Sequence, residues 1–321
     1  MHNFIDEFWP STVDGLATGS IYALIALGYT MVYGVLRLIN FAHSEIFMIG
    51  TMAVIGTLNV LGTTTLLSGV GLIGVVLILC IVAAVASGGS AMLLELVAYR
   101  PLRRRGASRL AALISAIGAS IFLQQLFARL VIPKAFNLPN EKGALPVSKH
   151  FVQRSDWVSI GNFIVSNDKL ILILGAVLMM VVLDLFVNRT RLGRGIRATA
   201  QDPETAVLMG INIDRIVMAT FAIGGAMAGV AAALYMLRFE ETAYDVGFLL
   251  GIKAFTAAVL GGIGNLRGAL VGGLALGLVE MYGSSIFGSQ WQNVVAFSVL
   301  ILVLMFRPTG ILGESLQKAR A

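Results

Sequence analysis

Arg197-Ala-Thr-Ala-Gln-Asp-Pro-Glu-Thr-Ala-Val-Leu-Met-Gly210 stands alone between two long apolar runs, near 169–187 and 214–237. Asp202 suits an N-cap, Pro203 the first helical position and Gly210 the C′ stop. The spacing predicts a helix over 203–209. That is about two turns, where a bilayer crossing takes about 20 residues. Arg189, Arg191, Arg194, Arg197 and Arg215 flank it, and excess arginine marks the cytoplasmic side. A capped helix held at the inner face of a membrane reads as a docking element for a soluble partner. Its residues are Asp202, Pro203, Glu204, Thr205, Ala206, Val207, Leu208, Met209 and Gly210.

The runs on either side belong to a larger series. Apolar stretches long enough to cross occur near 14–36, 41–61, 70–98, 109–132, 169–187, 214–237, 248–263, 268–286 and 291–306. They predict an all-α polytopic membrane protein, a single transmembrane domain over 1–321 with eight or nine crossings. The runs 248–263 and 291–306 are short for a full span, which leaves eight open. Composition agrees: 57% hydrophobic and 12% charged residues, with mean hydropathy +0.87, against about 25% charge in soluble domains.

Charge orients the series. Tyr99–Arg109 carries five arginines and no acid, and the 188–214 connection that holds the short helix is also arginine-rich. Arg307, Lys318 and Arg320 place the C-terminus in the cytoplasm. Asp6, Glu7 and Asp14 place the N-terminus outside, in a segment read as retained and interfacial rather than as a cleaved leader. The connection at 238–247 then lies outside. So does the long one at 133–168, where Glu141, Asp156 and Asp168 offset Lys134, Lys142, Lys149 and Arg154. Its prolines Pro133, Pro139 and Pro146 predict an irregular outer cap. The net charge of +6 therefore reflects topology, and no aromatic–basic surface for nucleic acid accompanies it.

Polar side chains inside the runs are candidates for function. Thr18, Tyr22 and Tyr29 share one helical face, suited either to hydrogen bonds between helices or to the wall of a permeation path. Asn40, His43 and Glu45 open the second run, where ionisable groups are costly unless paired or wet. A buried hairpin or contact with the transported molecule would each account for them. No second His or Cys lies nearby, so no metal site is expected. Lys253, with Thr256 one turn on, either snorkels to the outer interface or faces a wet path. Glu95 and Asp184 are expected to pair with loop arginines, and Glu280 lies deeper in its run. Cys80 is alone and apolar in setting. Small residues at Gly268, Gly272, Gly273 and Gly277 predict close helix packing.

No P-loop, nucleophile elbow, His-Glu-x-x-His or paired-cysteine motif is present, so the chain itself is expected to hold no cofactor and to catalyse nothing. An ion-coupled transporter working alone remains open on Lys253 and Glu280. An intramembrane enzyme would need clustered reactive groups that three His and one Cys do not supply.

Five segments add a resemblance: Gly19-Ser-Ile-Tyr-Ala-Leu-Ile-Ala-Leu-Gly28, Ile39-Asn-Phe-Ala-His43, Gly193-Arg-Gly-Ile-Arg-Ala198 leading into Ala206-Val-Leu-Met-Gly-Ile211, Phe255-Thr-Ala-Ala-Val-Leu-Gly-Gly-Ile-Gly-Asn265 and Arg307-Pro-Thr-Gly-Ile-Leu-Gly313. From about Gly15 to Gly313 the chain resembles the permease subunits of branched-chain amino acid ABC importers, the paralogue with the Asn-Phe-Ala-His signature. The resemblance implies a second, related permease, two cytoplasmic ATPase subunits that bind ATP and Mg, an extracytoplasmic substrate-binding protein and a place in the bacterial inner membrane. It makes 203–209 a coupling helix. Members of the family carry leucine, isoleucine and valine, other neutral amino acids, urea or short amides. The 133–168 connection is long for the family.

Overall fold

A computed structural model describes residues 2–62, 66–135, 147–160, 163–307 and 309–313. Pro139, Pro146, Glu141, Lys142, Lys318 and Arg320 lie outside the described residues, as do the side chains of Asp6 and Glu7.

Each of the nine apolar runs forms a helix. They are α1 (His2–Leu36), α2 (His43–Val60), α3 (Gly69–Leu94), α5 (Arg109–Leu126), α7 (Asn167–Arg189), α10 (Ile213–Phe239), α11 (Val246–Gly261), α12 (Leu266–Phe287) and α13 (Gln292–Phe306). A π turn at Glu95–Tyr99 carries α3 into the short α4 (Arg100–Arg104). A second at Phe127–Val131 carries α5 into α6 (Ile132–Ala135). Two further helices lie between the runs, α8 (Arg191–Gln201) and α9 (Pro203–Leu208). Among the described residues, seven helices are long and apolar enough to cross a membrane. The run at 291–306 qualifies because a 3-10 turn at Ser289–Trp291 lengthens it. The helix of the 41–61 run has the length, 18 residues, but is too polar to qualify, and that of the 248–263 run is too short at 16 residues. The first opens on the polar His43-Ser44-Glu45, and the second stops where Gly262 takes a φ of 104°.

The second helix starts inside the bundle. A Cβ on Gly28 would overlap His43 Nε2, and Gly28 lies eight residues before the end of α1, about 12 Å along it. The segment between α1 and α2 therefore folds back inward.

α1 and α10 form the centre, with 83% and 72% of their apolar windows buried, whereas α5 and α13 have 17% and 6% and stand at the flanks. Backbone approach sets the central packing. Gly15 and Gly19 on α1 face Gly273 and Gly277 on α12. An added Cβ on Gly19 would lie 2.7 Å from the Gly273 carbonyl oxygen, and one on Gly273 would lie 2.5 Å from Ala23 Cα. In lipid, where burying apolar surface gains little between helices, such contact supplies the association energy.

The bundle has two chemically distinct ends. At one, Glu95 pairs with Arg100 and Arg103, Asp214 with Arg103 and Arg104, and Asp184 with Arg267. Arg37 donates to the Ala200 carbonyl there at 3.1 Å. At the other, Asp14 joins Lys169 and Arg238, and Arg238 also bonds Asp168. This second end carries the connection expected to be irregular. Its described parts hold two short antiparallel ribbons instead: β1 (Val147–Ser148) with β4 (Glu241–Thr242), and β2 (Asp156–Ile160) with β3 (Phe163–Ser166). The protein is thus mostly helical rather than wholly so. Glu240, which caps α10 with a φ of 55°, ties this connection down by accepting from the amides of Phe151 and Val152 and bonding His150 at 3.0 Å.

Candidate functional site

The short helix at the arginine-rich end forms as its residues dictate. Asp202 Oδ1 accepts from the amides of Glu204 and Thr205, and its other oxygen accepts from the Thr205 hydroxyl. These bonds hold the Asp202 carboxyl below the usual carboxylate range, the Thr205 hydroxyl contributing most. The far end closes as a Schellman motif. The Ile211 amide donates to the Ala206 carbonyl and the Gly210 amide to the Val207 carbonyl, with Gly210 at a φ of 80°. Ala206 is buried and anchors the helix. Leu208 and Met209 are 86% and 78% exposed, so α9 presents an apolar tip. The 188–214 connection is more ordered than a loop. α8 packs through Gly193, which closes on Val187, and Gly195, which closes on Ile216, and Thr190 caps it by accepting from Gly193 N–H.

The polar face of α1 divides between two interior clusters. In the first, Lys253 Nζ lies 2.6 Å from Glu280 Oε1 and 3.4 Å from the Tyr22 hydroxyl. Lys253 therefore does not snorkel; a partner on the next helix gives its charge a cheaper place inside. Thr18 is half-buried one turn before Tyr22. Thr256 is buried and spends its hydroxyl on the Ile252 carbonyl of its own helix.

The second cluster borders a cavity of about 540 Å³ between α1, α2, α5 and α11, open on the side where Ile117, Ile121 and Phe248 are exposed. Tyr29, Ser44, Ser120 and Gln124 are its polar lining, and Phe41, Ile117, Ile121, Phe248 and Ile252 its apolar one. The His43 ring packs edge-on to Tyr29, centroids 4.8 Å apart. Behind the wall, Glu45 is buried and accepts from Ser44, Ser120 and Gln124. Asn40 stands apart, accepting from the Tyr99 hydroxyl at 2.9 Å. Ser120 and Gln124 carry no signal in the sequence, since they are paired to Glu45 only by the packing of α5 on α2. Among the described residues no three His, Cys, Asp or Glu side chains converge as a metal site would require.

The family model described as "Branched-chain amino acid transport system / permease component" matches residues 11–304. The chain belongs to this permease family. The permease is 45% identical over 310 residues to the high-affinity branched-chain amino acid transport system permease protein BraD of Pseudomonas aeruginosa, covering 97% of both chains. It is 42% identical to the corresponding protein LivH of Escherichia coli, covering 96% of both. A probable branched-chain amino acid transport permease protein of Methanocaldococcus jannaschii is 26% identical, with 94% of this chain and 91% of that protein covered. No solved structure matches it. The expectation of a membrane permease rather than an enzyme is met by these relatives and by the seven span-length helices.

Proposed function

We propose that the permease is a single transmembrane domain serving an ATP-driven importer of branched-chain amino acids in the bacterial inner membrane. It works with a paralogous permease, two cytoplasmic ATPase subunits that bind ATP and Mg, and an extracytoplasmic binding protein. The observation that carries this reading is α9. It is capped at both ends, lies at the arginine-rich end and presents Leu208 and Met209 to solvent. A permease that works alone needs no such dock. Arginine at that end supports a cytoplasmic position by the positive-inside tendency. At the other end Lys169, Arg238 and Arg154 pair with Asp14, Asp168 and Glu240. The N-terminus is then outside and the C-terminus inside. The residues 202–210 receive the ATPase motion. The substrate path runs by Tyr29 and the cavity, with Thr18, Tyr22, Asn40, His43, Lys253 and Thr256 around it.

The test is uptake of radiolabelled leucine, alanine and urea by proteoliposomes holding this chain, its partner permease and the ATPases, with binding protein outside and ATP within. ATP-dependent leucine uptake is expected. Uptake of urea alone would keep the architecture and replace the substrate. Uptake by this chain without ATPases would overturn the ATP-driven reading.

A further inference from the structure

Glu45 lies in the first turn of α2 and is fully buried. The donors that reach it all serve one oxygen: the Ser120 hydroxyl at 3.0 Å and the Gln124 amide at 2.9 Å go to Oε1, and the Ser44 hydroxyl, 3.2 Å from Oε1, shares its one proton with the Phe41 carbonyl at 2.8 Å. Oε2 is buried without a hydrogen-bond partner, and among the described residues no Lys, Arg or His pairs with this carboxylate. A buried carboxylate with a bare oxygen is costly, and an ionisable group at membrane depth is a candidate for a substrate or ion path or for a proton relay. By contrast, the buried carboxylate of Glu280 has its cation built in, as Lys253 at 2.6 Å.

The surroundings of Glu45 say which cation. Ser44, Ser120 and Gln124, its three donors, all line the cavity, so the carboxylate stands directly behind that wall. Oε2 is on the side of α11, where a Cβ on Gly247 would lie 3.3 Å from it and would overlap the Ser44 carbonyl oxygen; glycine lets α11 pack closely on the start of α2 here, next to the cavity residue Phe248. The rest of the lining is aliphatic and aromatic. The volume lies within the ~300–1,000 Å³ of small-molecule sites. One carboxylate beside an apolar wall complements a molecule with one ammonium group and one aliphatic arm.

We infer that Glu45 receives the α-ammonium group of an aliphatic amino acid held transiently in this cavity, with Phe41, Ile117, Ile121, Phe248 and Ile252 around its side chain. The site rests on the reading of the chain as an amino acid permease and adds a reason for it. Urea and short amides bring no cation to Oε2, so the cavity favours amino acids over them.

Glu45→Gln is nearly isosteric and keeps an oxygen for the three donors while removing the charge; Glu45→Asp keeps the charge. In proteoliposomes of the complete complex, the readout is leucine carried per ATP hydrolysed. The expected result is a fall of at least tenfold for Glu45→Gln and a smaller fall for Glu45→Asp. Ile121→Trp, which adds bulk to the lining, is expected to lower the ratio as well. A ratio within twofold of the parent for Glu45→Gln, or one lower for Glu45→Asp than for Glu45→Gln, would overturn the assignment and leave the permease reading standing. Absence of leucine uptake by the unaltered complex would instead overturn that reading.

Discussion

Lys253 Nζ lies 2.6 Å from Glu280 Oε1 where α1, α11 and α12 meet, and both side chains are almost wholly buried. Removing one partner of such a pair strands the other charge, at a cost of about 3–5 kcal/mol, whereas replacing both by apolar groups is close to neutral. Lys253→Leu and Glu280→Leu should each unfold the purified complex at a clearly lower temperature in detergent. The double replacement should recover most of the loss. Single variants as stable as the parent would show that the pair holds nothing together. Transport by a stable double variant would then separate structure from function: full uptake there would remove Lys253 from the substrate path.

Gly15 and Gly19 meet Gly273 and Gly277 with backbone against backbone, so volume added there separates α1 from α12. Overfilling a packed site typically costs about 1–3 kcal/mol, and here the obstacle is main chain that has no rotamer to yield. Gly273→Val should reduce the yield of folded complex and lower its melting temperature. Gly74→Val, on the outer surface of α3 with nothing within 4 Å of the added Cβ, should do much less. Equal effects from the two would remove the close approach as the cause.

Local signals account for what could be read before any coordinates. The caps of α9 depend on Asp202, Pro203 and Gly210 within nine residues, and all three take the expected positions. The glycine face of α12 is likewise a matter of period. Pairings between distant segments were not readable. Glu45 was visible as a costly charge, but Ser120 and Gln124 lie more than seventy residues on, with no pattern to join them. The place of Lys253 near one end of its run suits snorkelling, and only the packing of α11 on α12 shows that Glu280 meets it. α8 was hidden by Gly193 and Gly195, which usually interrupt helices but here allow close packing on Val187 and Ile216. Strand propensity in 133–168 was too local to announce ribbons only two to five residues long.

At the arginine-rich end, Asp202→Ala removes acceptors for two amides and one hydroxyl, and Glu204→Arg reverses charge on the presented turn. The double variant should insert normally, show faster hydrogen exchange at the amides of 204 and 205, and hydrolyse ATP without matching uptake. Leu208→Ser with Met209→Ser should leave those amides protected and still uncouple, because it alters only the exposed tip. Normal uptake by both variants would sink the assignment of α9 as the coupling helix.

The clamp that Glu240 makes on the 147–152 segment should respond to acid. Burial raises the Glu240 carboxyl, but the bonds from His150 and the amides of Phe151 and Val152 outweigh it and hold the group below its ordinary value of 4.5. A depressed carboxylate contributes stability that is fully present above its unfolded pKa and is lost as pH falls through the folded one. The 147–152 segment should therefore stay protected from proteolysis at neutral pH and open as pH drops below about 4.5. Glu240→Gln, which cannot carry the charge, should open it at neutral pH and remove the acid step. An acid step of the same size in Glu240→Gln would assign the titration to another group. Protection unchanged from neutral pH to well below that value in the parent would show that β1 and β4 hold the connection without the carboxylate.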